Sequence, residues 1–194
     1  MLLMVSWISK MMKYLVSALS LTYLFLSTSL GMGENKLIDD FSNESQNRWQ
    51  FFTDQVMGGI SEGNASLVSD KSGQYVRLEG SVSTANNGGF IQIRTDINEG
   101  TNEAKGIIIK AKGNGEDYYI HLRTSGTVLP WQYYQISFPT SKNWSEIKLP
   151  FANFERSSSW ISKKITGDKI RTLGIVAYGK NHNAKLDVAY LSFY

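Results

Sequence analysis

Alternation of apolar and polar residues dominates the chain from about residue 37 onward. An apolar side chain at every second position places one face of a strand against a core and leaves the other face exposed. This pattern favours antiparallel sheets, and no segment there has the period of a long amphipathic helix. The predicted strands are 75–82, 89–95, 106–112, 117–124, 132–138, 144–149, 170–178 and 185–193.

Residues 117–124 show the alternation most clearly. We expect one face of this strand to pack in the core, and it carries Tyr118, Ile120 and Leu122. The opposite face is available to solvent or a ligand, and it carries Tyr119, His121 and Arg123. Residues 90–94 and 132–138 repeat the pattern and add to the exposed face Gln92, Arg94, Tyr133 and Gln135.

Turns rich in glycine and asparagine separate the predicted strands, as at 86–89 and 113–115. Glycine and asparagine tolerate the positive φ that tight turns require. Pro139 and Pro150 follow predicted strands, where the missing amide donor does little harm. Many short strands joined by such turns predict an all-β fold, an antiparallel β-sandwich of the jelly-roll type.

The first 33 residues are predicted to form a separate leader. Lys10 and Lys13 precede an apolar run at 14–30, and small residues follow around 27–33. This order is typical of a cleaved signal peptide, although a run of this length could also remain as a membrane anchor. The sequence therefore predicts a leader at 1–33 and one domain at 34–194, exported to a bacterial periplasm or envelope.

Charge and cysteine content narrow the possible partners. The chain has 20 basic and 17 acidic residues, and loss of Lys10 and Lys13 with the leader leaves 18 against 17, a net charge of +1. Such a domain lacks the broad positive field of a nucleic-acid-binding protein, so we expect no nucleic-acid partner. The absence of cysteine excludes disulfides and thiolate metal sites, and membrane contact is expected only through the N-terminal segment.

Catalytic signatures are weak. His121 and His182 are the only histidines, and neither belongs to a recognised catalytic or metal-binding motif. Adjacent carboxylates such as Glu116 and Asp117 point to opposite faces of a strand and cannot flank one bond. We therefore predict no enzyme activity, no catalytic residues, no metal and no cofactor; a hydrolase with carboxylates from distant strands is the least favoured hypothesis.

Two glycine-rich corners stand out. The first follows Trp49 and runs from Asp54 to Ser61, and the second leads through 86–89 into a strand that ends near Arg94. These corners belong to an ordered set of motifs that also includes Gly80, 106–107, 113–119, 134–138, Trp144 and 150–154. The set resembles the family named for complex I intermediate-associated protein 30. The chain departs from the family pattern at Gln55 and at 155–160.

The resemblance implies a galactose-binding-like jelly roll without catalytic activity, acting in the assembly of a protein complex or as a chaperone. It assigns a structural role to Trp49, Gly58, Gly59, Asn87, Gly88, Gly89, Phe90, Trp144, Pro150, Phe151 and Phe154. The implied partners are proteins of an envelope or respiratory complex. The alternative is a carbohydrate-binding module, because jelly rolls can bind sugars on a concave sheet face with aromatic and amide side chains.

The candidate ligand- or partner-binding residues are Asp54, Met57, Arg94, Tyr119, Arg123, Gln135, Trp131 and Trp160. The competing interpretation is a solvated sheet face in which Arg94 and Arg123 bond to loop carbonyls or pair with Asp54. The large aromatic side chains are expected to pack in the core, namely Trp49, Phe90, Phe138, Trp144, Phe151 and Phe154.

Overall fold

The computed structural model describes residues 35–42, 45–71 and 73–194. The predicted leader at 1–33 lies outside these residues. No helix in the described ranges is long and apolar enough to cross a membrane. The strands are β1 Lys36–Asp39, β2 Gln50–Thr53, β3 Glu62–Asp70, β4 Gly73–Val82, β5 Phe90–Asp96, β6 Gly106–Gly113, β7 Asp117–Thr124, β8 Tyr134–Pro139, β9 Ser145–Pro150, β10 Glu155–Arg156, β11 Ile170–Tyr178 and β12 His182–Phe193. Short 3₁₀ helices span Ser45–Asn47, Asp54–Met57, Ala85–Asn87, Phe151–Asn153 and Gly167–Lys169.

The strands form two six-stranded antiparallel sheets. The first sheet has the order β3-β4-β12-β6-β9, and β1 also pairs with β12. The second sheet has the order β10-β8-β7-β11-β5-β2. β12 pairs with β4 through residues 182–188 and with β1 through residues 191–193, so one long strand joins both. The predicted all-β antiparallel sandwich is confirmed.

Each segment predicted as a strand forms one, with ends shifted by a few residues at most. The strands that the pattern did not predict are β1, β2, β3 and β10. β2, β3 and β10 lie at sheet edges, where side chains are less buried and the alternation is weak. Their pairing partners, rather than their own sequences, determine that they are extended.

The core lies between the sheets and consists mainly of branched aliphatic side chains. The first sheet contributes residues such as Leu78, Ile109 and Leu186. The second contributes Ile93, Ile120 and Ile175, among others. Each such side chain stabilises the fold by about 1.5–3 kcal/mol through burial. Tyr118, Ile120 and Leu122 are all buried, as the alternation in β7 predicts.

The large aromatics divide into three groups. Phe138, Phe151 and Phe154 are buried in the core, as expected. Trp49 is half-buried and packs against the core, and its indole donates to Asp39 Oδ2 at 2.7 Å. The predictions for Trp144 and Phe90 are wrong. Trp144 packs edge-on against Tyr75, at 5.4 Å between ring centres, and Tyr75 alternates with the core residue Val76 in β4. Phe90 alternates with buried Ile91 and lies half-exposed on the outer face of the second sheet.

The two glycine-rich corners meet at one buried carboxylate. Asp54 begins the 3₁₀ helix after β2, and Gly58 ends that helix with a φ of 89°. The Asp54 carboxylate accepts hydrogen bonds from the Ser61 amide at 2.9 Å and from its hydroxyl. Across the corner it accepts from the backbone amides of Gly89 at 2.5 Å and Phe90 at 3.2 Å. Asp54 therefore fixes the chain after β2 to the start of β5.

Glycine is required on both sides of this carboxylate. A Cβ atom at Gly59 or at Gly88 would collide with the carboxylate of Asp54. Burial by itself raises the pKa of Asp54, but the hydrogen bonds from Ser61, Gly89 and Phe90 outweigh it and hold the pKa below its ordinary value. Asp54 is therefore ionised at neutral pH, and hydrogen-bond donors from the two corners stabilise its charge.

Substitution of Asp54 tests this arrangement. Asp54→Asn places an amide NH₂ against N–H and O–H donors, and we expect it to reduce the free energy of unfolding by about 2–4 kcal/mol. Asp117→Asn removes the same charge at an exposed strand position and is expected to cost less than about 0.5 kcal/mol. Urea denaturation of both variants measures the difference. Equal stabilities would contradict the structural role of Asp54.

The acid dependence of stability gives a second test. Because the folded-state pKa of Asp54 is below the unfolded value of about 3.9, the ionised group stabilises the fold above that pH, and the contribution is lost as the pH falls through the folded-state pKa. The stability difference between wild type and Asp54→Asn should thus be largest near neutral pH and should shrink below about pH 4. Urea titrations across this pH range measure the stability difference. A difference independent of pH would show that ionisation of Asp54 is not involved.

Candidate binding groove

A groove of about 410 Å³ lies on the outer face of the second sheet, above β11. The outward-facing positions of β11 hold the small residues Thr172, Gly174 and Val176. The neighbouring strands carry longer side chains at paired positions: His121 of β7 and Arg94 of β5 both lie opposite Gly174. A row of small residues between two rows of large ones produces a trough.

Gly174 forms the deepest part of this trough. A Cβ atom there would lie 3.2 Å from Gln92 Oε1 and 3.7 Å from His121 Cβ, so even a methyl group would be in close contact with both walls. The glycine is not needed for a positive φ, since the backbone at Gly174 is extended as part of β11. Its consequence is that the Gln92 side chain can lie close to the β11 backbone in the floor of the groove.

Loops close the two ends of the groove. Asn87, Gly88 and Met57 lie at the end where Phe90 of β5 pairs with Tyr178 of β11. The loop at 125–133, which joins β7 to β8, supplies Pro130 and Trp131 at the other end. The Asp54 hydrogen bonds hold the corners that carry Met57 and Gly88, so the first end rests on that carboxylate.

Aromatic rings cover the β7 side of the groove. The Tyr133 ring stacks on the His121 imidazole with centres 4.4 Å apart and an angle of 18°. Tyr178 packs edge-on against His121 at 5.7 Å and against Tyr119 at 5.6 Å. Trp131 is 64% exposed at the rim. The groove thus combines fixed ring faces in its floor with an exposed indole at its edge.

Buried polar atoms in and beside the groove lack partners among the described residues. They are His121 Nε2, Gln135 Oε1 and Arg123 Nε. Buried polar groups are nearly always hydrogen-bonded, because an unpaired one costs about 1–3 kcal/mol. These atoms are enclosed by other protein atoms, and the Gln135 side chain is itself a hydrogen-bonding neighbour of His121.

The titratable side chains in the floor of the groove, His121 and Tyr133, are uncharged at neutral pH. Burial lowers the pKa of His121 to about 4, with the neighbouring Gln135 side chain acting weakly in the opposite direction. Burial, together with the nearby Tyr178 hydroxyl, raises the pKa of Tyr133 to about 12. At neutral pH His121 is therefore a neutral imidazole and Tyr133 a protonated hydroxyl.

The two arginines differ in how they are held. Arg123 Nη2 donates to the carbonyl oxygens of Thr127 and Leu129, both at 3.1 Å. Arg94 lies over the Phe52 ring at 4.6 Å, and the described residues give it no hydrogen bond or ion pair. The expectation that loop carbonyls hold the arginines thus applies to Arg123 alone, and neither arginine pairs with Asp54.

The structure brings some of the candidate residues together and separates others. Met57, Arg94, Arg123 and Trp131 line the groove. Tyr119 and Gln135 lie on the same sheet face beside it, since Gln135 pairs with His121 and Tyr119 contacts Tyr178. Asp54 is fully buried and can affect a ligand only through the corners that it fixes. Trp160 is 91% exposed on the loop after β10 and does not line the groove.

Other groove residues were not among the sequence candidates. They include Phe90, Pro130, Thr172, Gly174, Val176 and Tyr178, whereas His121 was predicted only to share the exposed face. The alternation of buried and exposed positions in 170–178 could have identified Gly174 as a gap on the outer face. The order of strands in the sheet, which places β11 between β7 and β5, was not available from the pattern. No group of three His, Asp or Glu side chains in the described residues is suited to hold a metal ion.

Comparison with solved structures identifies the fold. A family 11 carbohydrate-binding module from Clostridium thermocellum, solved with a β-1,3-1,4-mixed-linked tetrasaccharide, superposes with a TM-score of 0.67 and 18% identity over 82% of this chain and 94% of that chain. A family 30 carbohydrate-binding module gives a TM-score of 0.51 and 11% identity over 70% of this chain and 91% of that chain. An agarase, AgWH50C, superposes with a TM-score of 0.53 and 9% identity over 81% of this chain and 24% of that chain.

These low identities show a shared fold and no more. Among curated proteins none matches the chain. The sequence model for complex I intermediate-associated protein 30 (CIA30), in contrast, matches residues 39–188, and the chain therefore belongs to that family.

Proposed function

We propose that this chain is a non-catalytic binding domain that recognises an oligosaccharide in the groove above β11. One observation carries the proposal: the groove is lined by the aromatic rings of Tyr133 and Tyr178 and by the polar side chains of Gln92 and Arg94. A sugar ring has polar hydroxyl groups at its rim and apolar C–H groups on its faces. It can therefore hydrogen-bond to polar side chains of the groove and pack on an aromatic ring at the same time.

The volume of the groove and the strands that form its floor support this function. A volume of about 410 Å³ falls in the range of small-molecule sites, which are about 300–1,000 Å³. Most of the floor is built on strands rather than on mobile loops, and strand-borne side chains keep their geometry when no ligand is present. Little ordering entropy is lost when a ligand binds to such a surface. The carbohydrate-binding modules that share the fold supply further support at the level of architecture.

The chemistry of the groove favours binding over turnover. Glycoside hydrolysis commonly requires a pair of carboxyl groups about 5–10 Å apart across the scissile bond. The described residues that line the groove include no Asp or Glu. The neutral imidazole of His121 stacks on Tyr133 and has no carboxylate partner in that part of the structure to orient it as a base.

Filling the trough provides a direct test. Gly174→Leu would occupy the groove from its floor while leaving the core face of β11 unchanged. We expect wild type to bind at least one oligosaccharide on a glycan array and Gly174→Leu to bind it at least about ten-fold more weakly. Isothermal titration calorimetry of the bound glycan gives the dissociation constants.

Ser81→Leu is the matched control, because it adds the same side chain at an exposed position of β4 in the other sheet. It should leave the dissociation constant unchanged. If wild type bound no glycan on the array, or if Gly174→Leu bound as tightly as wild type, the proposal would be wrong.

A second candidate function is the assembly of a protein complex, which membership of the CIA30 family supports. Exposed apolar side chains at the two ends of the groove favour it: Val56 and Met57 are 71% and 64% exposed, and Val128 and Trp131 are 80% and 64% exposed. Exposed apolar groups of this kind are typical of surfaces that contact another protein. The partner would be a protein of an envelope or respiratory complex, and export to the envelope stays a prediction.

Variants of this apolar surface separate the two functions. We expect the double variant Val56→Ser, Met57→Ser to reduce co-purification of a defined membrane or envelope complex by more than half, as measured by quantitative mass spectrometry of the affinity-purified protein. Leu37→Ser, also at an exposed apolar residue but on β1, is the control. Unchanged recovery of the complex with the double variant would exclude this surface from assembly.

A further inference from the structure

The charges around the groove are unbalanced. Arg94 and Arg123 line it, and the described lining residues include no acidic side chain. Asp54 is close to one end, but it is buried and its oxygens already accept hydrogen bonds from Ser61, Gly89 and Phe90. Asp96 occupies the next outward position of β5 after Arg94, yet no ion pair joins them. A ligand in the groove thus meets an excess of positive charge.

Arg94 is positioned to bind an anion. Its guanidinium lies over the Phe52 ring, which restricts the side chain without using any of its N–H donors. Arg94 also pairs across the sheet with Gly174, so nothing from β11 stands between it and the deepest part of the trough. A planar guanidinium with unoccupied donors matches the two oxygens of a carboxylate, and such bidentate pairs are short and strong.

Arg123 faces the same trough from the opposite wall. It pairs with Thr172, whereas Arg94 pairs with Gly174, so the two arginines lie on β7 and β5 opposite adjacent outward positions of β11. Two loop carbonyls fix Arg123 through Nη2, while its buried Nε has no partner among the described residues. His121, on the same face of β7 as Arg123, carries no charge at neutral pH, so the positive charge comes from the arginines.

We propose that the oligosaccharide bound in this groove is acidic, with a uronate carboxylate paired to Arg94 and its sugar ring placed beside His121 and Tyr133. This inference rests on the proposed function and specifies its ligand class. A carboxylate is favoured because it supplies the two coplanar oxygens that the guanidinium donors of Arg94 require. The same pairing predicts that binding weakens as ionic strength rises.

The test compares each acid with its own neutral form. The probes are hexasaccharides of glucuronate, galacturonate, mannuronate and guluronate, each with a carboxyl-reduced counterpart in which –CH₂OH replaces the carboxylate. For at least one pair, we expect wild type to bind the acid about ten-fold or more tightly than the neutral form in calorimetry. Arg94→Gln should abolish this preference. Lys185→Gln, which removes one charge from an exposed position of the other sheet, should preserve it.

The outcomes distinguish the two proposals. If the neutral forms bound as tightly as the acids, or if Arg94→Gln retained the preference while circular dichroism showed it to be folded, the acidic ligand class would be overturned and oligosaccharide binding would stand. If none of the sugars bound and a poly-glutamate peptide bound instead, the acidic oligosaccharide would be overturned in favour of an acidic protein segment. If no probe bound at all, the acidic ligand class would be overturned, and the glycan array would decide whether oligosaccharide binding stands.

Discussion

The carboxylate of Asp54 is the constraint on which the groove depends. Strands alone determine where the sheet lies, but they do not determine where the loops beyond their ends go. Asp54 fixes the loops at one end of the groove, because it accepts hydrogen bonds from Ser61, Gly89 and Phe90. A buried charge is tolerated only when such donors replace water, so the two corners cannot move apart independently. The family-like motif from Asp54 to Ser61 and the one from Asn87 to Phe90 are therefore two halves of one structure.

The groove itself results from side-chain size along a single strand. In β11, Thr172, Gly174 and Val176 face outward between the longer residues of β5 and β7. Large side chains at every outward position of β11 would have produced a flat, solvated sheet face. Gly174, which has no side chain, instead leaves a low point in the middle of this face between Arg94 and His121.

The sequence predicted the parts of the structure that local periodicity controls. The inward and outward faces of β5, β7 and β8 follow from alternation, and hence so does the shared outer face of Gln92, Arg94, His121 and Gln135. It did not predict β2, β3 or β10, whose extended form depends on a neighbouring strand. The aromatic side chain of Phe90 favours a place in the core, but its alternation with Ile91 places it on the outer face. Gly174 and Tyr178 were missed because only the strand order shows that β11 lies at the centre of the face.

The position of β12 has a consequence for how the molecule is made. β12 lies at the centre of the first sheet, paired with β4, β6 and β1, although it follows all of them in the chain. During synthesis the earlier strands must therefore emerge from the ribosome with their central neighbour missing, and the sheet can close only after residues 182–193 are available. Such long-range pairing slows folding and leaves strand edges open in the meantime. A nascent chain of this design must keep its open strand edges from pairing with other chains until β12 is available.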